Sequence, residues 1–414
     1  MIVYQVMTRL FGNGKFSAFN KKAFDYLHTL GVSHIWYTGV IRHATGEDFV
    51  KGNPGSPYAI SDYYDVNPYL ATKSEDRMKE FENLVKRTHK AGFKVIIDFV
   101  PNHVAKNYGD GIPTFNHCDY DWTDTRKINY SHSDTWNAML QIVRFWASKG
   151  VDGMRCDMVD LVPSDFFGWL TRSIKAEFPD FIFIAETYET GSYRPLIKDA
   201  GFDYLYDKSG LYDILRGILT NGWSSRQITG NWQRLSDLQP DMLNFLENHD
   251  EQRLASSCFA GSPERGYAAL AVAALFNKAS FMLYFGQERG ERAPEASDGR
   301  TSIFNWTTVN SLKTPDGKVL ERYREILSLA ASISDWENYD LCYCSEGAEG
   351  FDPDRHFAFL RYKKGVGTLL FCCNFSVTDA EYTVVIPESL GLAKKEARII
   401  VPASDFTVIS LDSI

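Results

Sequence analysis

Four short runs of this 414-residue chain end apolar stretches with acids: Asp98 in DFVPNH, Asp157 in GMRCDMVD, Glu186 in IAETY and Asp250 in FLENHD. His103, Arg155 and His249 accompany three of them. A lone acid after an apolar run is usually a helix cap or a solvated loop residue. Four in succession need another explanation. Arg155 precedes Asp157 by two positions, and strand side chains alternate with period two, so both project on one side. A neighbouring guanidinium favours the ionised carboxylate and is expected to lower the Asp157 pKa, as a nucleophile requires. Glu186 follows FIFIA. A dry site with other carboxylates nearby raises a Glu pKa, as a proton donor requires. Two carboxylates driven in opposite directions can share acid and nucleophile roles at one bond.

These acids need a frame that brings them together. Short apolar runs alternate with amphipathic stretches, the pattern of parallel β/α units. Strands are predicted at 3–7, 34–38, 94–100, 151–156, 181–185, 204–206, 242–246 and 280–285. Helices are predicted at 75–90, 134–148, from Pro163 onward, at 261–278 and at about 316–335. Eight such units point to a closed (β/α)8 TIM barrel over residues 1–338, in preference to a doubly wound open sheet. In such barrels chemistry sits at the C-terminal strand ends, where all four acids fall. The polar, aromatic-bearing stretch 104–132 follows the third strand and should rise over that face. From 339 to 414 short alternating runs at 340–344, 358–362, 368–374, 382–386, 397–401 and 406–411 predict an antiparallel β-sandwich.

Composition narrows the partners. The formal net charge of −9 disfavours nucleic acid, which demands a basic surface. No run approaches the ~20 apolar residues needed to span a bilayer. The amino-terminal residues lack the pattern of a secretory signal, so a cytoplasmic protein is expected, or an exported one whose signal was removed. Seven scattered cysteines argue against a disulfide framework and read best as small packed hydrophobes.

The four runs, in this order and strand context, resemble the signature regions of the α-amylase family, glycoside hydrolase family 13. The resemblance implies Asp157 as nucleophile, Glu186 as general acid/base and Asp250 as the third, transition-state-stabilising carboxylate. It implies that Arg155, His103 and His249 line the subsite of the cleaved bond, with Asp98 supporting from beneath. The segment GSPYAISDYYDVNP is similar to the family's stretch after strand two; its Tyr58 matches the tyrosine that stacks on the reacting sugar. Asn102 matches a frequent calcium ligand, so a structural calcium is implied there, while the chemistry itself requires no cofactor. Many members carry Lys-His three and four residues after the nucleophile; this chain has Asp160 and Leu161. The calcium set and the leaving-side contacts therefore do not carry over whole.

The expectation is a retaining hydrolase of α-1,4-glucosidic bonds acting on starch, maltodextrin or malto-oligosaccharides. The same constellation supports transglycosylation or isomerisation of α-glucosides. A non-catalytic carbohydrate-binding protein of this shape would typically lose rim acids that this chain retains. An aldolase-type barrel would need a lysine inside a strand; Lys94 and Lys208 sit at strand edges.

Overall fold

The computed structural model describes residues 1–294, 296–306, 309 and 317–411. Position 316, where the last helix of the barrel was expected to begin, lies outside them.

Eight parallel strands close on themselves: β1 (Ile2–Met7), β2 (His34–Thr38), β3 (Lys94–Phe99), β4 (Gly153–Cys156), β5 (Ile182–Ala185), β6 (Tyr204–Tyr206), β7 (Met242–Phe245) and β8 (Ser280–Tyr284). Each pairs with its sequence neighbour, and β8 returns to β1. The closed barrel is thus the one predicted, with strand ends displaced by at most two residues. The strands are almost wholly buried, as parallel strands covered by helices must be. Gly153 opens β4 because a Cβ there would approach Ile182 Cγ1 to 2.3 Å, so only glycine lets β4 and β5 meet. That contact sets the register in which Arg155 faces Asp98 of β3 and Ile184 of β5.

Amphipathic helices cover the barrel, including Arg77–Lys90, Ser133–Ser148, Ser164–Glu177 and Lys318–Ser332. The helix predicted at 261–278 is shorter, Tyr267–Leu275, after a single tight turn at Glu264–Gly266. It is buried on every side. The carboxy-terminal strands cover the face that a solvent-facing barrel helix would expose; Ala268 N donates to Ser404 O (3.1 Å).

Beyond the barrel, β9 (Glu337–Asp340), β10 (His356–Lys363), β11 (Gly367–Asn374) and β14 (Phe406–Leu411) form one antiparallel sheet. A second pairs β12 (Ala380–Val385) with β13 (Glu396–Val401). The strand predicted at 340–344 is corrected: β9 ends at Asp340, whose Oδ1 accepts from Cys342 N (2.8 Å) and starts a helical turn at Cys342–Ser345. Arg361 locks the sheet to the barrel. Its guanidinium, buried at the joint, donates to the carbonyls of Leu275 (2.6 Å), Asn277 (2.8 Å), Ile333 (2.6 Å) and Trp336 (2.9 Å). All seven cysteines are free thiols. Among the described residues no helix is long and apolar enough to cross a membrane.

Candidate active site

Asp98, Asp157, Glu186 and Asp250 all reach the C-terminal mouth of the barrel, from β3, β4, β5 and the segment after β7. Arg155 is the hub. It is wholly buried and sits between the rings of Trp36, Tyr58 and Tyr206, with its guanidinium carbon 5.3–5.6 Å from each ring centre. One end of its fork donates to Asp157 Oδ1 (2.6 Å) and lies 3.8 Å from Asp98 Oδ1; the other is ion-paired with Glu186 Oε1 at 2.6 Å. A planar fork of fixed geometry is suited to holding two carboxylates side by side.

Glu186 has further anchors. Met158 N donates to Oε2 (2.9 Å) and Tyr188 Oη donates to Oε1 (3.0 Å). Met158 adopts the left-handed region at φ 46°, a conformation that costs a non-glycine residue energy and often marks a functional site. Tyr188 is itself fixed through its backbone, because Asp160 accepts from Tyr188 N (2.8 Å) and from Thr187 Oγ1 (2.8 Å). Asp160 therefore faces its own loop.

A second chain of hydrogen bonds supports Tyr58 and His249. Gln5 Nε2 meets His249 Nδ1 at 2.7 Å. An amide nitrogen can only donate, so the His249 proton sits on Nε2. That nitrogen faces Tyr58 Oη and, at 3.1 Å, Asp250 Oδ2. Tyr58 Oη donates onward to Asp98 Oδ1 (3.3 Å), and Gly39 N donates to Asp98 Oδ2 (3.1 Å). Burial lowers the His249 pKa to about 3, with Arg155 adding to the effect, so the ring is neutral. Burial likewise lowers His103 to about 4.

The acids are shifted upward. Burial drives Glu186 to about 7 against the pull of Arg155, and Asp157 and Asp250 add repulsion. Burial also drives Asp157 to about 6, again against Arg155. The expectation that Arg155 holds Asp157 below the usual carboxylate range is therefore overturned: desolvation exceeds the attraction of one cation shared by three acids. Glu186 is raised as expected, and Asp157 is raised against expectation. Asp98 is raised to about 6 by burial. So is Asp250, although its side chain is 40% exposed and water softens the effect.

A cleft of about 520 Å³ opens above these groups, lined by Tyr58, His103, Asp157, Glu186, Tyr188 and Asp250. Trp122 of the 104–132 excursion forms one wall, with its ring 5.2 Å from that of His103. Phe304 forms another, and Lys51 of the 44–56 loop lies 4.4 Å above its ring. Sequence reasoning missed Tyr188, although it lies two positions beyond Glu186 and so on the same side. Lys51 and Phe304 carry no local signal. Asp98 Oδ1 lies 3.3 Å from Tyr58 Oη and 3.8 Å from Arg155 Nη1.

Asn102 is buried beneath His103, but its surroundings do not fit a divalent cation. The nearby Asp119 carboxylate is already engaged: Lys127 Nζ lies 2.9 Å from Oδ1, and Asn102 Nδ2 donates to Oδ2 at 2.9 Å. Asn102 thus turns nitrogen, not oxygen, toward that carboxylate. Its Oδ1 has no hydrogen-bond partner among the described residues, and one oxygen falls short of the six to eight that calcium takes. Among the described residues no group of three or more His, Cys, Asp or Glu could hold a metal.

A closed parallel barrel with a carboxylate cluster at its C-terminal mouth defines the class: a (β/α)8 protein with an acid-lined cleft. Comparison with known proteins adds likenesses. The model of the α-amylase catalytic domain matches residues 20–122. α-Amylase MalA of Haloarcula japonica is 28% identical over 320 residues, covering 70% of this chain and 44% of that protein. Neopullulanase 2 of Thermoactinomyces vulgaris is 22% identical, covering 73% and 54%. The chain spans about half the length of the curated relatives it matches. In fold it is similar to the noncanonic maltogenic α-amylase AmyB of Thermotoga neapolitana, with a TM-score of 0.76, 23% identity, and coverage of 100% of this chain and 96% of that one. The chain is thus similar to α-amylase-family proteins in part of its sequence and in its fold.

Proposed function

We propose that this protein is a retaining α-glucan hydrolase acting on α-1,4-glucosidic bonds of starch, maltodextrins or malto-oligosaccharides. The observation that carries this reading is the shared Arg155 fork, which holds Asp157 and Glu186 as neighbours while Glu186 titrates higher. Retaining enzymes need such closeness, with carboxyls ~5–5.5 Å apart.

Asp157 Oδ1 is held by Arg155, so attack on the anomeric carbon falls to Oδ2. The bond from that carbon to the leaving oxygen breaks, and Glu186 gives that oxygen its proton. The glycosyl ester on Asp157 is then opened by water, whose proton returns to Glu186 as the carboxylate of Asp157 departs. Neutral His249 and His103 can donate to sugar hydroxyls, Tyr58 offers its ring face, and Asp250 faces the positive charge that develops on the ring.

The test is hydrolysis of maltoheptaose followed by proton NMR. Retention releases the α-anomer first, and the Asp157→Asn variant should release none. First release of the β-anomer, or near-native turnover by that variant, overturns the assignment. Longer oligosaccharides accumulating in place of glucose and maltose would mark the transglycosylase alternative.

A further inference from the structure

We propose that Lys127 is a built-in cation, fastening the 104–132 excursion to the barrel and positioning His103 in place of a bound metal ion. The proposal starts from pairing. His103–Ala105 and Thr125–Lys127 form a two-stranded antiparallel ribbon in which His103 and Lys127 are direct partners. Directly opposed residues put their side chains on one face of a ribbon. On that face Lys127 Nζ reaches Asp119 Oδ1 at 2.9 Å. Asp119 lies in the middle of the excursion, whose backbone closes around the same lysine: Lys127 N donates to His117 O (2.9 Å) and Phe115 N to Lys127 O (2.8 Å).

The other carboxylate oxygen of Asp119 receives one hydrogen of Asn102 Nδ2 (2.9 Å), and His103 Nδ1 lies 3.2 Å from the same nitrogen. An amide nitrogen carries two hydrogens and no acceptor, so Nδ1 of His103 accepts and its proton is kept on Nε2. The order Lys127, Asp119, Asn102, His103 is therefore a directed chain from an ammonium to a ring lining the cleft. Lys127 and Asp119 are only 25% and 18% exposed, so the attraction is screened less than at an open surface. Burial pushes Asp119 up, but its bonds to Asn102 and Lys127 outweigh this and keep it ionised. A cation inserted there would have to displace an ammonium already in contact. Lys127 is thus a positioning residue, acting on His103 through two others. Its effect on turnover rests on the hydrolase reading; its effect on stability does not.

The experiment uses the purified full chain and measures Tm and maltoheptaose kinetics in excess EDTA and in millimolar calcium. The wild type should show the same Tm and kcat/KM in both. Lys127→Met should lower Tm and reduce kcat/KM by about 10–100-fold, the range for partners that orient a site residue, without moving the pH limbs set by Asp157 and Glu186. Lys127→Arg should restore most of both. If Lys127→Met fails to fold, Asp119→Asn, which keeps shape and removes the charge, should show the same losses. A wild-type Tm that falls in EDTA and recovers with calcium overturns the proposal, as does a Lys127→Met protein with unchanged Tm and kcat/KM. Should maltoheptaose prove not to be a substrate, the hydrolase reading fails while the Tm comparison still decides the role of Lys127.

Discussion

Two buried arginines in this barrel each face carboxylates, and the clusters differ in a way that separates chemistry from scaffolding. Arg253 meets Glu247 one to one. Its Nη1 donates to Glu247 Oε2 (2.9 Å) and to Phe285 O (2.8 Å), its Nε to Thr301 Oγ1 (2.7 Å), and its guanidinium lies 4.4 Å from the Tyr284 ring centre. Leu254 N completes Glu247 (2.7 Å). Arg155 instead serves Asp98, Asp157 and Glu186 together, and two of these acids open into the cleft. Burial raises Glu247 to about 7, the same value as Glu186. A raised pKa therefore does not identify a catalytic acid. Surplus carboxylate around one cation, with access to a cleft, is what sets the proposed catalytic pair apart.

The largest effects should come from exchanging the roles of these clusters. Asp157→Asn and Glu186→Gln should each lower kcat on maltodextrin by on the order of 10⁴-fold or more, with Tm unchanged or slightly higher, because each relieves repulsion among crowded acids. Glu247→Ala should do the reverse. It strands Arg253 without its partner, a change that costs about 3–5 kcal/mol, so Tm should fall steeply while the protein that remains folded keeps substantial kcat. Paired thermal melts and initial rates check both. Activity abolished in Glu247→Ala at an unchanged Tm would erase the distinction.

The pH profile sharpens it. The proposed mechanism needs Asp157 ionised and Glu186 protonated. kcat/KM should therefore fall below about pH 6 as Asp157 takes a proton and above about pH 7 as Glu186 loses one, giving a narrow bell. Stability should follow its own sign. Asp98, Asp157, Glu186 and Glu247 all titrate higher folded than unfolded. The native state thus binds more protons between about pH 4 and 7. The contribution is fully present below the unfolded values and is lost as pH rises through 6–7. Tm measured from pH 5 to 8 should decline across that window.

Much of this was legible in the chain, for reasons that particular residues make clear. The barrel strands could be read because all but β1 run into Pro, Gly or an acid within two residues of their ends, and Arg155 and Asp157 because period two fixes their common side. The direction of the Asp157 shift was not legible: spacing reveals a partner, while burial depends on Trp36, Tyr58 and Tyr206 arriving from three distant segments. The strand expected at 340–344 failed because Asp340 caps a helical turn, a local bond that overrides alternation. Lys127 lay in plain view yet carried no signal until ribbon pairing set it opposite His103.

The smallest predicted effect is also the most discriminating. Tyr188 Oη donates to Glu186 Oε1 at 3.0 Å, whereas among the described residues no hydroxyl donates to the Glu247 carboxylate, which is held by Arg253 and Leu254 N. A donor to an ionised carboxylate stabilises the charged form. Tyr188→Phe removes that donor and keeps the ring, so Glu186 should hold its proton to higher pH. The basic limb of kcat/KM should move up by roughly half to one unit, in keeping with the net worth of about 0.5–1.5 kcal/mol for one hydrogen bond. The acidic limb, set by Asp157 on the far end of the Arg155 fork, should stay in place. A downward shift, or both limbs moving together, would mean that Tyr188 acts by shaping the cleft and not by tuning the acid.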